Sequence, residues 1–471
     1  MSDEQRPPEP EAGPSPDAGA APAGPSPAAG PSPAAGPSPA AGSPAAASSA
    51  SAAAGSPPDA GPGRPRESAG QVIIGAVLEG RPTVLTILAI ATAVVLGGLL
   101  IAFSDTTVLS AWSRFFSNPG NAIALTWDSA SAAYAAMFEG AIFNPHTVSA
   151  AFHGGSVGAI FYPLSQTASD ATPLILTGLA VAVAFRAGLF NIGAAGQWVG
   201  GAIVATYLGF GVSLPPVVHV LVCLIGGFIG GAVIGWVVGE LKARTGAHEV
   251  IVTIMLNYIM YNLLAFLLGT PTALQEPGQA NLISPNVAAN ARLPHVGGPP
   301  PQVDAGFLVG LAAAAAVWWL LARSTVGFQF RTVGANPRAA RTAGMNVERS
   351  WALVMLLAGG LAGLAGAVVI QGPLQNLTFN SYGTYGFDGI TVALLGRARP
   401  FGVVLAALLF GALHAGGTTM EAATQVPSAI VQVLQGLIVL FVAAPPLIRV
   451  LFRLRAAGSA GLEAVPKGWN A

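Results

Sequence analysis

The residues with chemistry to offer stand where apolar runs break. Within TPLILTGLAVAVAFRAGLFNIGAAGQWVGGAIVAT (172–206), Arg186 ends one run. Phe190, Asn191, Gln197 and Trp198 then bracket a Gly-rich interruption. In KARTGAHEVIVTIMLNYIMYNLLAF (242–266), Asn257 and Tyr258 fall near the middle of a run, with Tyr261 and Asn262 one turn on. Residues four apart share a helix face, so Asn257 and Tyr261 point together. FNSYGTYGFDGITVALLGRARPFG (379–402) sets Tyr382, Tyr385 and Asp388 around Gly383 and Gly386, before a half-length run closed by Gly396 and Pro400. Aromatic rings at span ends either face a solute or serve as interfacial anchors, and side-chain amides either meet a solute or bond a neighbouring helix. Each position also has a structural reading. A buried Asn is costly unless paired, so Asn257 either meets a solute or ties two helices. Asp388 either meets a solute or caps the half-helix it opens.

Several chemistries are excluded. There is no G-x-x-x-x-G-K-[ST] loop, and the only lysines are Lys242 and Lys467. No H-E-x-x-H occurs, and six scattered histidines with a single Cys223 make neither a metal cluster nor a disulfide framework. The acids at or within the expected spans are Glu240, Glu249 and Asp388, each near a span end, which argues against a proton relay. The chain is expected to bind no cofactor, metal or nucleic acid itself. Uphill movement of a solute would draw its energy from another polypeptide.

The elements that position these residues follow from composition. The chain is 53% hydrophobic and 8% charged, with twenty basic against twenty acidic residues; soluble domains carry about 25% charged residues. An all-α polytopic membrane protein is expected, with about ten segments at 82–103, 172–186, 192–212, 216–238, 249–269, 306–322, 351–371, 387–396, 400–417 and 428–448. Two of these, 172–186 and 387–396, are short. Short, Gly-interrupted segments in both halves are the pattern of transporters built from repeats, although no repeat aligns residue by residue. With the N-terminus cytoplasmic and spans alternating, only Arg114 and Arg292 of the twenty basic residues fall outside, and both termini fall inside. Trp318 and Trp319 suit an interfacial belt. Two outer loops are long, 104–171 and 270–304, and 126–143 reads as an amphipathic helix at the outer surface. Residues 1–70, with a GPSPAA repeat over 24–41, read as a disordered tail ahead of a transmembrane domain at 71–455 and a cytoplasmic tail at 456–471. The N-terminus is acidic and Pro-rich without an apolar h-region, so no cleaved signal peptide is expected.

On the cytoplasmic side, ANPRAARTAGMN (335–346) reads as a short helix. Asn336 is its N-cap, Pro337 its first residue and Gly344 its stop, while Ala339, Ala340 and Ala343 form a small-residue face and Arg338 and Arg341 project elsewhere. It either docks a cytoplasmic subunit or is a solvated basic loop.

Taken together, TPLILTGLAVAVAFRAGLFNIGAAGQ (172–197), HEVIVTIMLNYIM (248–260), VGANPRAARTAGMN (333–346) and YGFDGITVALLG (385–396) resemble, in the same order, the signature segments of ABC-importer permeases of the ribose/nucleoside group, which includes guanosine-type and simple-sugar permeases. The resemblance spans roughly 80–448. The sequence departs from the family at Ala195, commonly polar there, and at His248, commonly Asn. The resemblance implies a second homologous permease and a cytoplasmic ATPase that binds ATP and Mg. It also implies an extracytoplasmic binding lipoprotein, a coupling helix at 336–344, and a bacterial plasma-membrane location. Its substrates would be nucleosides or related small polar solutes, with simple sugars or branched-chain amino acids as alternatives; a stand-alone secondary transporter is the competing class. Deleting 1–68 is expected to leave solute uptake by the assembled importer unchanged, as measured in cells matched for membrane expression.

Overall fold

Long apolar runs have one economical way to satisfy their backbone in a bilayer, and the described residues are almost wholly α-helical. The computed structural model describes residues 82–452 apart from 155–156, 272–273, 280, 296–302 and 382. The expected tails and Tyr382 lie outside the described residues. In order the helices are α1 (Pro82–Ser104), α2 (Thr106–Trp112), α3 (Pro119–Ala141), α4 (Pro145–Phe152), α5 (Tyr162–Arg186), α6 (Ala194–Gly211), α7 (Pro216–Thr245) and α8 (Glu249–Gly269), then α9 (Gly306–Arg323), α10 (Thr325–Ala335), α11 (Pro337–Thr342), α12 (Val347–Val369), α13 (Tyr385–Leu395), α14 (Pro400–Thr424), α15 (Ala429–Ala443) and α16 (Pro445–Leu451).

Among the described residues seven helices, α1, α5, α7, α8, α9, α12 and α14, are long and apolar enough to cross a membrane. The pair α15–α16, bent by 89°, makes an eighth if counted as one span. The remaining two of the ten expected segments, 192–212 and 387–396, are α6 and α13, and both begin inside the bundle. The segment expected at 172–186 is not short: its helix runs back to Tyr162 and its span to Gly158. Hydropathy hid the first half because it is polar at Ser165, Gln166, Thr167, Ser169 and Asp170, all buried or half-buried against the bundle, where the Ser165 and Thr167 hydroxyls donate to the Tyr162 and Ala141 carbonyls. Residues 126–143 do not lie as a separate surface helix. They belong mostly to α3, which packs against α1 and α14 and buries Ala133, Ala136 and Met137.

The tightest seam joins α7 to α12. Gly227, Gly231 and Gly235 on one helix face Gly359 and Gly363 on the other, and a Cβ on any of them would run into the partner's backbone or its Cβ. Small residues at a spacing of four allow this approach, and dispersion between backbones replaces a hydrophobic drive that is absent between helices in lipid.

A pseudo-symmetry organises the rest. Helix α12 lies along α6 and α7 much as α5 lies along α13 and α14. In each half a long helix is followed by a loop that turns back into the bundle and then by a helix that starts there. Gly193-Ala194-Ala195-Gly196 opens α6, and Gly383-Thr384-Tyr385-Gly386 opens α13. From that start α6 runs toward the loop at 281–293, where the Ala288 N–H donates to the Gly209 carbonyl at 3.0 Å. Helix α13 runs the other way, to the arginine-rich end, where Arg186 Nε donates to the Ala398 carbonyl at 2.9 Å.

Gly363→Val should force the seam apart and destabilise the protein by about 1–3 kcal/mol or more. Gly436→Ala, in open space on α15, should not. Thermal unfolding of the two purified variants in detergent checks the difference.

Candidate translocation site

At the first break the chain leaves α5 and re-enters the bundle through Leu189, Asn191 and Gly193. Asn191 and Gln197 are fully buried and form a reciprocal amide pair: Asn191 Nδ2 donates to Gln197 Oε1 at 2.9 Å, and Gln197 Nε2 donates to Asn191 Oδ1 at 3.2 Å. The same Asn191 oxygen accepts the Gly193 N–H at 3.0 Å. From α8, Asn257 grips both sides of the break. Its Nδ2 donates to the Ile192 carbonyl at 3.0 Å, and its Oδ1 accepts the Gly196 N–H at 2.8 Å. Asn191 and Asn257 are thus occupied in satisfying backbone that would otherwise be orphaned at membrane depth, and Gln197 is occupied by Asn191.

At the second break α12 loosens into a π-turn, Ile370–Leu374, containing Pro373. Such turns recur at functional sites because they release a helix from its regular ladder. Gln371 secures the turn by donating to the Ala291 carbonyl at 2.8 Å. The chain then returns inward to Tyr385, and the Thr384 hydroxyl donates to the Asp388 carboxylate in the first turn of α13. Asp388 therefore sits in the first turn, at the positive end of that half-helix, but it does not cap it: Thr384 is the N-cap residue and no side chain accepts from the first N–H groups.

The two breaks meet. Gly386 lies so close to Ala195 that a Cβ would overlap it, and the Trp198 and Tyr385 rings stack with centroids 6.2 Å apart. Two half-helix N-termini pointing in opposite directions converge on one place, the arrangement by which discontinuous helices present donors to a polar solute. The Trp198 indole N–H, fully buried, has no acceptor among the described residues.

Other expected site residues lie apart. Phe190 is half-buried and packs on Phe185 at 5.1 Å. Tyr258 is 61% exposed on the outer face of α8, beside Met255 and Ile259, since one residue from Asn257 is a different side of the helix. The acids are also redistributed. Asp170 falls well within the span of α5 and Glu421 in the last turn of that of α14, so the acids at or within spans are not confined to Glu240, Glu249 and Asp388, and not all lie near a span end. The lengthened α5 was the missing signal, because with its start at 172 Asp170 lay in a loop.

At the arginine-rich end, Asn336 caps α11 by accepting from the N–H groups of Arg338 and Ala339 at 3.0 and 3.1 Å; Pro337 is its first residue and Gly344, with φ +80°, follows its end. The expected alanine face is split. Ala340 is buried with Val333 and Val347, whereas Ala339 and Ala343, four apart, are exposed. Arg338 is exposed, and Arg341 pairs with Glu348. Helix α11 is therefore pinned by one alanine and presents the rest of its surface outward.

A helical bundle with two opposed half-helices and a capped helix presented at its basic end defines a multi-pass membrane permease. Residues 164–443 match the family described as "Branched-chain amino acid transport system / permease component", and the chain belongs to that family. It is 38% identical over 313 residues to the guanosine ABC transporter permease protein NupP of Bacillus subtilis, covering 66% of this chain and 89% of that one. It is 35% identical to the glucose ABC transporter permease protein TsgB13 of Haloferax volcanii (59% and 76% covered). Identity is also 35% to the nucleoside ABC transporter permease protein NupB of Lactococcus lactis (61% and 81%). No solved structure matches the chain.

Asn257→Ala leaves the Gly196 N–H and the Ile192 carbonyl without partners, at a cost of about 1–3 kcal/mol for a buried group. Uptake should be lost while membrane expression persists. Unchanged uptake would show that the break needs no clasp.

Proposed function

We propose that this chain is the permease subunit of an ATP-binding cassette importer for nucleosides, working in a bacterial plasma membrane with its arginine-rich end and both termini in the cytoplasm. The observation that carries the reading is the junction of the two half-helices beside Trp198 and Tyr385. Aromatic faces there can stack a base, and helix N-termini supply donors for its polar edge. The names of NupP and NupB favour nucleosides, while that of TsgB13 keeps simple sugars as the second reading.

In this scheme the chain pairs with a second, homologous permease, and an extracytoplasmic lipoprotein delivers the solute. A cytoplasmic ATPase binds ATP and Mg. The chain's own sequence supports that division of labour, having no phosphate-binding loop. ATP binding and hydrolysis shift the permease pair between outward- and inward-open states only through contacts that differ between those states. The exposed side of α11, from Arg338 to Gly344, is the surface for that contact, and the basic-residue asymmetry sets it on the cytoplasmic side.

The test is uptake by proteoliposomes holding both permeases, the ATPase and the lipoprotein. Tritiated guanosine should enter only with ATP, and glucose or leucine should enter poorly; the reverse preference would replace the substrate assignment. Ala343→Trp, at the exposed residue that ends α11, should abolish uptake while the ATPase retains basal hydrolysis. Uptake at the wild-type rate would remove α11 from the coupling route.

A further inference from the structure

One polar face is not used by either break's own bonding. On α14, His414, Thr418 and Glu421 follow a spacing of four and three and are all exposed, so they form one stripe. On α5, Gln166, Ser169 and Asp170 form a second, half-buried stripe. The helices are held together at Gly411, which lies against Thr167 and Ala171, so the two stripes are neighbours. His414 is within electrostatic reach of both Asp170 and Asp388, and Tyr385 is within reach of both carboxylates as well. The buried amide oxygen of Gln166 has no partner. Polar side chains therefore continue from the half-helix junction at Tyr385 and Asp388 toward the end of α14 at Glu421.

Lipid is the wrong neighbour for such a face. Ionisable side chains within spans face a water-filled cavity or other protein, because burial in hydrocarbon leaves their charge unsolvated. We propose that the Asp170–Asp388–His414 face lines the aqueous route to the junction and binds the N–H and O–H donors of an uncharged polar solute. Carboxylates accept from such donors, for example the N–H edge of a purine or a ribose diol, and the surplus of negative charge disfavours anionic solutes. The solute class rests on the nucleoside reading above; the course of the route does not.

The chain suits a thiol test, since its single Cys223 is fully buried. His414→Cys and Thr418→Cys would be made in the complete transporter, with Leu405→Cys as the control; Leu405 is 69% exposed and half a turn round α14 from His414. A charged, membrane-impermeant thiosulfonate should modify positions 414 and 418 and spare 405, whereas an apolar maleimide should reach 405. Failure of the charged reagent at both polar positions overturns the route, whether the thiols then prove reactive toward the maleimide or sealed under another subunit. Separately, Asp170→Asn and Asp388→Asn, which keep side-chain shape, should raise the KM for guanosine by about tenfold with kcat less affected. Modified thiols with unchanged KM would overturn recognition by the carboxylates. A wild-type transporter that ignores guanosine would overturn the nucleoside reading and leave the labelling result standing.

Discussion

Everything in this bundle depends on the rule that a peptide group at membrane depth must find a partner. Two chain segments leave helical geometry inside the protein, and each does so under escort. Asn257 does the most with the least. One amide accepts from Gly196 and donates to Ile192, so it spans the break and fixes where α6 begins. Asn191 and Gln197 complete the closure by saturating each other. These amides hold the first opening in shape, whereas among the described residues the Trp198 indole N–H and the Gln166 amide oxygen are buried without a partner.

Holding the breaks open to solute while the surrounding helices stay closed requires a stiff frame. The glycine seam between α7 and α12 supplies it, because backbones packed against each other leave no long side chains to change rotamer. The same frame explains the pseudo-symmetry. Two halves of similar design, inserted in opposite senses, bring their broken helices to one point, where Gly386 meets Ala195. The family relation to ABC permeases fits an architecture that builds a route and leaves the energy source to other chains.

Some of this was legible in the sequence. Gly, Asn and Gln inside apolar runs marked both breaks, and Asn336, Pro337 and Gly344 bounded α11 within a residue. Other features were not, for physical reasons. Hydropathy scores a residue as though lipid surrounded it, so a helix whose first half faces protein, as α5 does at Ser165–Asp170, is cut short. That single error removed Asp170 from view. Helix phase separated Tyr258 from Asn257, adjacent in sequence but on different sides of α8. The phase of six-residue α11 depends on what it packs against, so the burial of Ala340 alone could not be read from composition. The meeting of Ala195 with Gly386 joins distant parts of the chain and leaves no local trace.

Mechanics gives the glycine seam a further meaning. Helix α12 begins three residues after Gly344 and ends in the π-turn that feeds the second break. Clamped along its length by α7, it has little room to bend, so in the coupling scheme proposed above a displacement at the α11 end would pass along it. The first compliant element it reaches is the Ile370–Leu374 turn, so the lever's free end lies at the threshold of Tyr385, where small travel can become a change in aperture.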